Sequence, residues 1–271
     1  MNSRIFCLVC SLAITLAGSA TAAAQDFRVD TEIFADKEKE PFVETLTLFA
    51  DGRVYDFLLT EPKEITIFDP QRGTFTLLAP NLKLKTVITT QEVLECCLAL
   101  NTHAAQSGNS LFAFAAQPEF AVTEEAVPSN GETLSQVTLT AHPITYAAVG
   151  KKPTQADAAR AFRQFADGFA RLNAIRPGNL PPEPRLKLNA ELADRGLLPT
   201  EITRIITPSN PLTKLLEHRS RHLVNWTLSR TDRGRIEQAG GYLTASDFRT
   251  VDFGDYCAAD RQPAAEQQTK R

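Results

Sequence analysis

Two imidazoles stand four residues apart in Glu217-His218-Arg219-Ser220-Arg221-His222. On a helix that spacing would turn both rings to one face, where a metal ion could bridge them. A tetrahedral zinc site needs three or four ligands, however, and no third histidine, cysteine or carboxylate stands at an interpretable distance from the pair. The expected reading is a surface pair. His103 and His142 lack recognisable catalytic partners. Glu124 and Glu125 are adjacent and would face opposite ways on a strand, whereas glycosidase chemistry needs two carboxylates converging on one cleft. No Gly-x-Ser-x-Gly elbow, phosphate-cradling glycine loop or Gly-x-Gly-x-x-Gly occurs, so the hydrolase, nucleotide and dinucleotide templates all fail. The sequence therefore predicts a non-enzymatic protein with no catalytic residue, metal ligand or cofactor.

Cysteine usage and the N-terminus speak to compartment. Arg4, the apolar run Ile5 to Gly18 and the small residues Ser19 to Ala24 make the tripartite pattern of a secretory signal peptide over 1–24, cleaved near Ala22 to Ala24. The apolar run is too short to span a bilayer. The expected location is periplasmic or secreted, and no later segment is apolar enough to make an integral membrane protein. Cys96, Cys97 and Cys257 follow the signal peptide. In an oxidising compartment one pair can bridge, with Cys97 and Cys257 the favoured choice; the alternative is that they are buried small apolar residues. A formal charge of −3 gives no electrostatic argument for nucleic acid. Lys214 to Arg235 holds six cations against two acids, read as a solvated face. Asn225-Trp226-Thr227 matches a glycosylation sequon, but a tryptophan in an apolar strand argues against access.

The elements that must position any site begin with period-2 alternation. Phe27 to Phe34 reads as a strand, and Phe42–Phe49, Arg53–Leu59, Glu64–Phe68, Thr74–Leu78 and Leu82–Ile88 as an antiparallel meander, with Asp51-Gly52 and Asp69 to Gly73 as turns. Thr89 or Thr90 caps a helix running to about Gln106. Leu111 to Ala115 fits helix or buried strand. Strand patterns return at Phe120–Ala126 and Thr133–Val149. Gln155 to Ala174 is the clearest helix, with Thr154 as its cap, Asp157 completing a capping box, and Phe162, Phe165 and Phe169 on one stripe. Burying those rings is worth about 2 kcal/mol each. Arg176 to Pro184 reads as an extended connector and Asn189 as the cap of a short helix ending at Gly196. Glu201–Thr207 and Arg221–Ser229 read as strands, Leu212–Arg219 and Thr231–Gly240 as helices, and Phe248–Phe253 as a last strand. Residues 25–257 form one α+β domain, followed by a polar, disordered tail at 258–271.

The run Glu61-Pro62-Lys63-Glu64-Ile65-Thr66-Ile67-Phe68-Asp69, followed by Thr74 to Pro80 and Leu82 to Ile88, resembles the periplasmic outer-membrane lipoprotein carriers. The likeness covers roughly 60 residues, a length at which hairpins recur widely. It implies an antiparallel half-barrel with helices across its concave side, enclosing an apolar cavity for acyl chains. This chain is longer than a carrier, adding the proline-rich connector, a second helical unit and further strands, and the motif does not place the carriers' key arginine on Arg53 or on any other position. The whole chain is also similar to a group of uncharacterised exported bacterial proteins.

The expected fold is thus α+β, a curved antiparallel sheet wrapped around covering helices. The expected partner is a lipid or lipoprotein acyl chain, bound against Tyr55, Phe57, Ile65, Ile67, Phe75 and Leu77 of the sheet and Phe162, Phe165 and Phe169 of the helix. The alternative is a periplasmic structural or interaction protein whose core is closed and holds no ligand. An unrecognised hydrolase would require convergent polar side chains of shifted ionisation in a cleft.

Overall fold

A computed structural model of the chain describes residues 26–259 except 130, 156, 209, 211 and 212. The expected signal peptide, and residues 260–271 of the expected tail, lie outside the described residues. The first run of the chain makes six strands in a meander: β1 (Phe27–Ala35), β2 (Val43–Ala50), β3 (Arg53–Leu58), β4 (Ile65–Asp69), β5 (Thr74–Ala79) and β6 (Leu84–Thr89). Local chemistry accounts for the tightest reversal. Ala50 pairs with Arg53 across Asp51 and Gly52, which take φ of 50° and 74°. Positive φ at both central residues matches the twist of the flanking strands.

Helices α1 (Thr90–Gln106) and α2 (Ser110–Ala116) follow, then β7 (Ala121–Ser129), β8 (Glu132–Thr140) and β9 (Ile144–Lys151). After them come α3 (Ala158–Ala174), α4 (Glu183–Asp194), β10 (Leu198–Ile206), β11 (Leu216–Asn225), α5 (Arg230–Thr244) and β12 (Arg249–Thr250). The strands form one open twelve-stranded sheet in the order β12-β6-β5-β4-β3-β2-β1-β11-β10-β9-β8-β7. Every pairing is antiparallel except β12 with β6. The sheet is two meanders stitched together where β1 meets β11, in register from Arg28 and Asn225 to Ala35 and His218. The chain is α+β.

Both faces of the first meander are buried. On one, Val93 and Cys97 of α1 and Phe165 and Leu172 of α3 pack on Phe27, Phe49, Phe68 and Phe75. Phe27 stacks on Phe49 at 4.0 Å, Phe68 on Phe75 at 4.6 Å, and Phe165 meets Phe49 edge-on at 6.0 Å. On the other, Ala239 of α5 and Phe248 cover Leu46, Leu48, Tyr55 and Phe57. Leu188 and Leu192 of α4 pack on β8 to β10 through Val137, Leu139, Ile144 and Ile202. The face bearing α1 to α4 is termed the helix face.

Several elements depart from expectation for identifiable reasons. Helix α1 begins with the capping box of Thr89 and Glu92, but α3 has none: its N-cap is Asp157, without a side-chain cap bond, and that carboxylate instead accepts from Arg160 at 2.7 Å. Helix α4 starts at Glu183, not Asn189, because Pro182 and Pro184 open its first turn, where a missing N–H costs nothing. Asn189 lies mid-helix. The expected helix Leu212–Arg219 gives way to β11 from Leu216, since pairing with both β1 and β10 overrides local propensity. The last strand stops at Thr250, and residues 253–259 are helical, with Ala259 packed on the core rather than starting a disordered tail.

Cys97 and Cys257 are both buried and are not joined by a disulfide. The Cys97 thiol points at α3, donating to the Arg171 carbonyl at 3.5 Å, and burial pushes it up to about 11. Denaturing, non-reducing thiol titration of residues 25–271, without the Cys7 and Cys10 of the expected signal peptide, should therefore return three sulfhydryls, from Cys96, Cys97 and Cys257; a count of one would restore the bridge.

Helix α3 approaches the sheet closely at one point. A Cβ added at Gly168 would lie 2.8 Å from Cζ of Phe75, a ring with no exposed surface. Gly168→Ala is expected to lower stability by about 1–2 kcal/mol, overpacking outweighing the helix-propensity gain. Urea melts should show the loss, and should show it reversed in a Phe75→Leu background.

Candidate functional site

Away from that contact, α3 and the segment that follows it stand off the sheet. The gap is a cavity of about 710 Å³ whose floor crosses β3, β2, β1, β11, β10 and β9. Its roof is α3, with Phe162, Phe165, Ala166, Phe169 and Ala170, and residues 178–182, 184 and 185. Phe42, 51% exposed, and the exposed Gly178 and Asn179 lie at its rim. Ile33, Val43, Ile144, Ile202 and Ile206 supply an aliphatic floor. A second cavity of about 600 Å³ lies at the other end of α3, beside Gly52, Arg53 and Pro70.

The expected lining divides between the two faces of the sheet. Phe162, Phe165 and Phe169 line the larger cavity. Phe75 and Leu77 lie on the same face but are sealed beneath α1 and α3. Tyr55, Phe57, Ile65 and Ile67 are a correction: they project from the opposite face, under α5. Strand parity is the reason, because Val54 and Asp56 take the helix face of β3 and Tyr55 and Phe57 must take the other.

Polar side chains occupy defined places in this apolar setting. At the β3 end, Asp56 is 5% exposed and accepts from the Thr47 hydroxyl at 2.6 Å. Burial, reinforced by the nearby charge of Glu64 and opposed by the Thr47 bond, pushes its carboxyl up to about 7. Glu64 accepts from Arg176 Nη2 at 2.6 Å and from the Tyr256 hydroxyl at 3.1 Å, tying the chain just after α3 to β4 and to the C-terminal helical turn. That clamp holds the roof.

At the β10 end, Arg204 Nη2 lies 2.9 Å from His218 Nδ1. Arginine can only donate, so Nδ1 accepts and the ring proton sits on Nε2. Burial and the Arg204 charge hold His218 below the usual histidine range, against Asp36. His222 contacts Thr31 Oγ1 through Nδ1 at 3.0 Å and Ser220 Oγ through Nε2 at 2.9 Å, and burial plus the charge of Arg185 hold it down at about 3. The two histidines do share a face, but of a strand, where an even separation has the same effect as four on a helix. They are cavity residues, not a surface pair. Sequence reasoning missed Asp56, Arg185 and Arg204 entirely; the signal available was polar residues at inward positions of otherwise apolar strands.

Ser220 and His222 have the separation of a nucleophile and its base. An imidazole at about 3 is a poor base at neutral pH, however, and its far nitrogen meets a threonine hydroxyl rather than a carboxylate. Among the described residues no group of three histidine, cysteine or acidic side chains could hold a metal ion, and no helix is long and apolar enough to cross a membrane.

No family model matches the chain, and no curated protein matches it. Solved structures of PNGF-II, in C2 and P21 space groups, overlay on 88% of this chain at 11% and 10% identity. Their TM-scores are 0.38 and 0.40, and the chain spans about a third of their length, 33% and 34%. At that level the likeness carries no argument about fold or function.

The two perturbed groups act on stability in opposite senses. Asp56 is raised, so its contribution is present below the unfolded value near 4 and is lost as pH rises through 7. His222 is depressed, so its contribution is present above about 6.5 and is lost as pH falls toward 3. Between about pH 4 and 6.5 the slopes oppose each other. Asp56→Asn should gain about 3–4 kcal/mol over the parent at pH 8 and almost nothing at pH 4. Chemical denaturation at the two pH values measures this, and an equal gain at both would remove Asp56 as the titrating group.

Proposed function

We propose that this protein is an exported, non-enzymatic binder of an apolar, chain-like ligand such as a lipid or acyl chain, held between α3 and the helix face of the sheet. One observation carries the reading: the cavity of about 710 Å³ under Phe162, Phe165 and Phe169. A concave space of this size, open at the rim beside Phe42 and bounded by an aromatic roof and an aliphatic floor, supports a ligand site. It falls within the 300–1,000 Å³ or so usual for small-molecule sites. In this reading the sheet is a half-barrel wrapped around α1 and α3, the arrangement implied by the likeness to lipoprotein carriers. Periplasmic or secreted location belongs to the same proposal and rests on the signal-peptide pattern of residues 1–24.

A second reading, a scaffold that presents a sheet edge to a partner, is favoured by β7. Among the described residues it is the terminal strand, paired only to β8, and seven of its nine residues are exposed. Such an edge offers unpaired backbone to an incoming strand.

Native mass spectrometry of the mature protein, followed by lipid extraction, separates the two. The binder should carry co-purified lipid or, once stripped, take up a fluorescent fatty acid. Ala170→Trp, which fills the cavity from the roof, should weaken that uptake about tenfold or more by removing the ligand's volume. Absence of both lipid and probe binding would favour the scaffold.

A further inference from the structure

We infer that the ligand of this cavity bears an anionic head, a carboxylate or a phosphate, received by Arg185 and Arg204. The inference rests on the cavity being a ligand site and names the chemistry of one end of what fills it. Arg185 comes from the first turn of α4 and Arg204 from the C-terminal half of β10, and both line the cavity. Arg204 stands in register with Tyr146 on β9 and His218 on β11. The two guanidiniums are close enough to repel: the charge of Arg204 adds to the burial that lowers Arg185, and Tyr146 and Asp167 offset them only in part.

Neither cation is neutralised by a carboxylate in contact with it among the described residues. Arg185 donates through Nε to the Asn189 side-chain oxygen at 2.9 Å, and Asn189 in turn donates to Asp167 at 2.8 Å, so the hydrogen-bonded link to that acid runs through an amide. Arg204 spends Nη2 on a neutral imidazole. Arg185 is half-buried and lines the cavity. A guanidinium stays protonated even when desolvated. Two half-buried cations side by side, without a carboxylate in contact among the described residues, favour an anion that joins them, and a guanidinium fork matches carboxylate and phosphate oxygens.

The rest of the cavity agrees with a polar head at this end. His218 and His222, both held neutral, stand beside the arginines without adding charge, and Tyr146, Ser220 and Thr31 supply hydroxyls. Asp56 is the cavity's acid, and it sits four strand spacings away on β3, roughly 19 Å along the sheet at about 4.8 Å per strand. The phenylalanines of α3 and the aliphatic floor lie between. An anion is therefore drawn to the β10 end, which orients the ligand.

The test uses the full mature chain, stripped of lipid, and titrates four probes by calorimetry: palmitate, hexadecanol, a single-chain lysophosphatidate and inorganic phosphate. The expected result is that palmitate or lysophosphatidate binds at least tenfold tighter than hexadecanol, and that Arg185→Met and Arg204→Met each erase that difference while leaving hexadecanol affinity unchanged. Arg185→Met should also melt no lower than the parent, because it removes an uncompensated charge; a variant that melts lower but keeps the acid preference counts against the assignment. Equal affinity for palmitate and hexadecanol overturns the anionic head and leaves the apolar-ligand proposal standing. Phosphate binding that depends on both arginines, with no binding of any chain-bearing probe, retains the anion site, identifies free phosphate as its source and removes the lipid. Silence from all four probes overturns both.

Discussion

The structure depends on how one helix meets one sheet. Phe165 reaches down from α3 to Phe49 and Phe68, within 6.0 and 6.5 Å of their ring centroids, and Gly168 lets the helix backbone close on Phe75. These contacts fasten α3 over the first meander, while Glu64, Arg176 and Tyr256 anchor the chain just beyond its C-terminus. A rigid rod held at one line of contact over a broad sheet cannot touch it everywhere. The cavity is the consequence, and the half-buried Phe162 and Phe169 line it because no sheet residue rises to meet them in full.

That geometry makes the polar groups informative. An inward threonine or histidine in a sheet is ordinary when it finds a partner, and Thr47, His218 and His222 all do. Two arginines facing a cavity without a carboxylate in contact among the described residues are a different matter, because the cost of desolvating a guanidinium is recovered only by a counter-charge. The opposed titrations of Asp56 and His222 arise from the same burial acting on an acid and on a base.

Strand order also shapes the site. The stitch between β1 and β11 brings residues 31–33 and 218–222 side by side although nearly two hundred positions separate them. Without it the floor would split into two smaller sheets, and Arg204 and Asp56 would not share a space. The insertion of α3 and α4 between β9 and β10 lets the same chain that completes the floor also supply the roof.

Much of this was legible in the chain before any tertiary information. Period-2 alternation and Asp51-Gly52 defined the meander, Thr89 with Glu92 defined the start of α1, and the phenylalanine stripe marked α3, because each depends on neighbours within a few residues. What the sequence left undecided depended on partners far along the chain. Leu216 to Arg219 became strand because β1 and β10 pair with it, Pro182 and Pro184 opened a helix where an extended connector was expected, and Cys97 turned its thiol to α3 rather than to Cys257. Which face of β3 looked onto the cavity, and which face of β4 lay beneath α3, was likewise a tertiary decision. Both faces of those strands are apolar, so alternation alone could not distinguish Tyr55, Phe57, Ile65 and Ile67 beneath α5 from a lining, and only the docking of α3 and α5 on opposite sides assigned them.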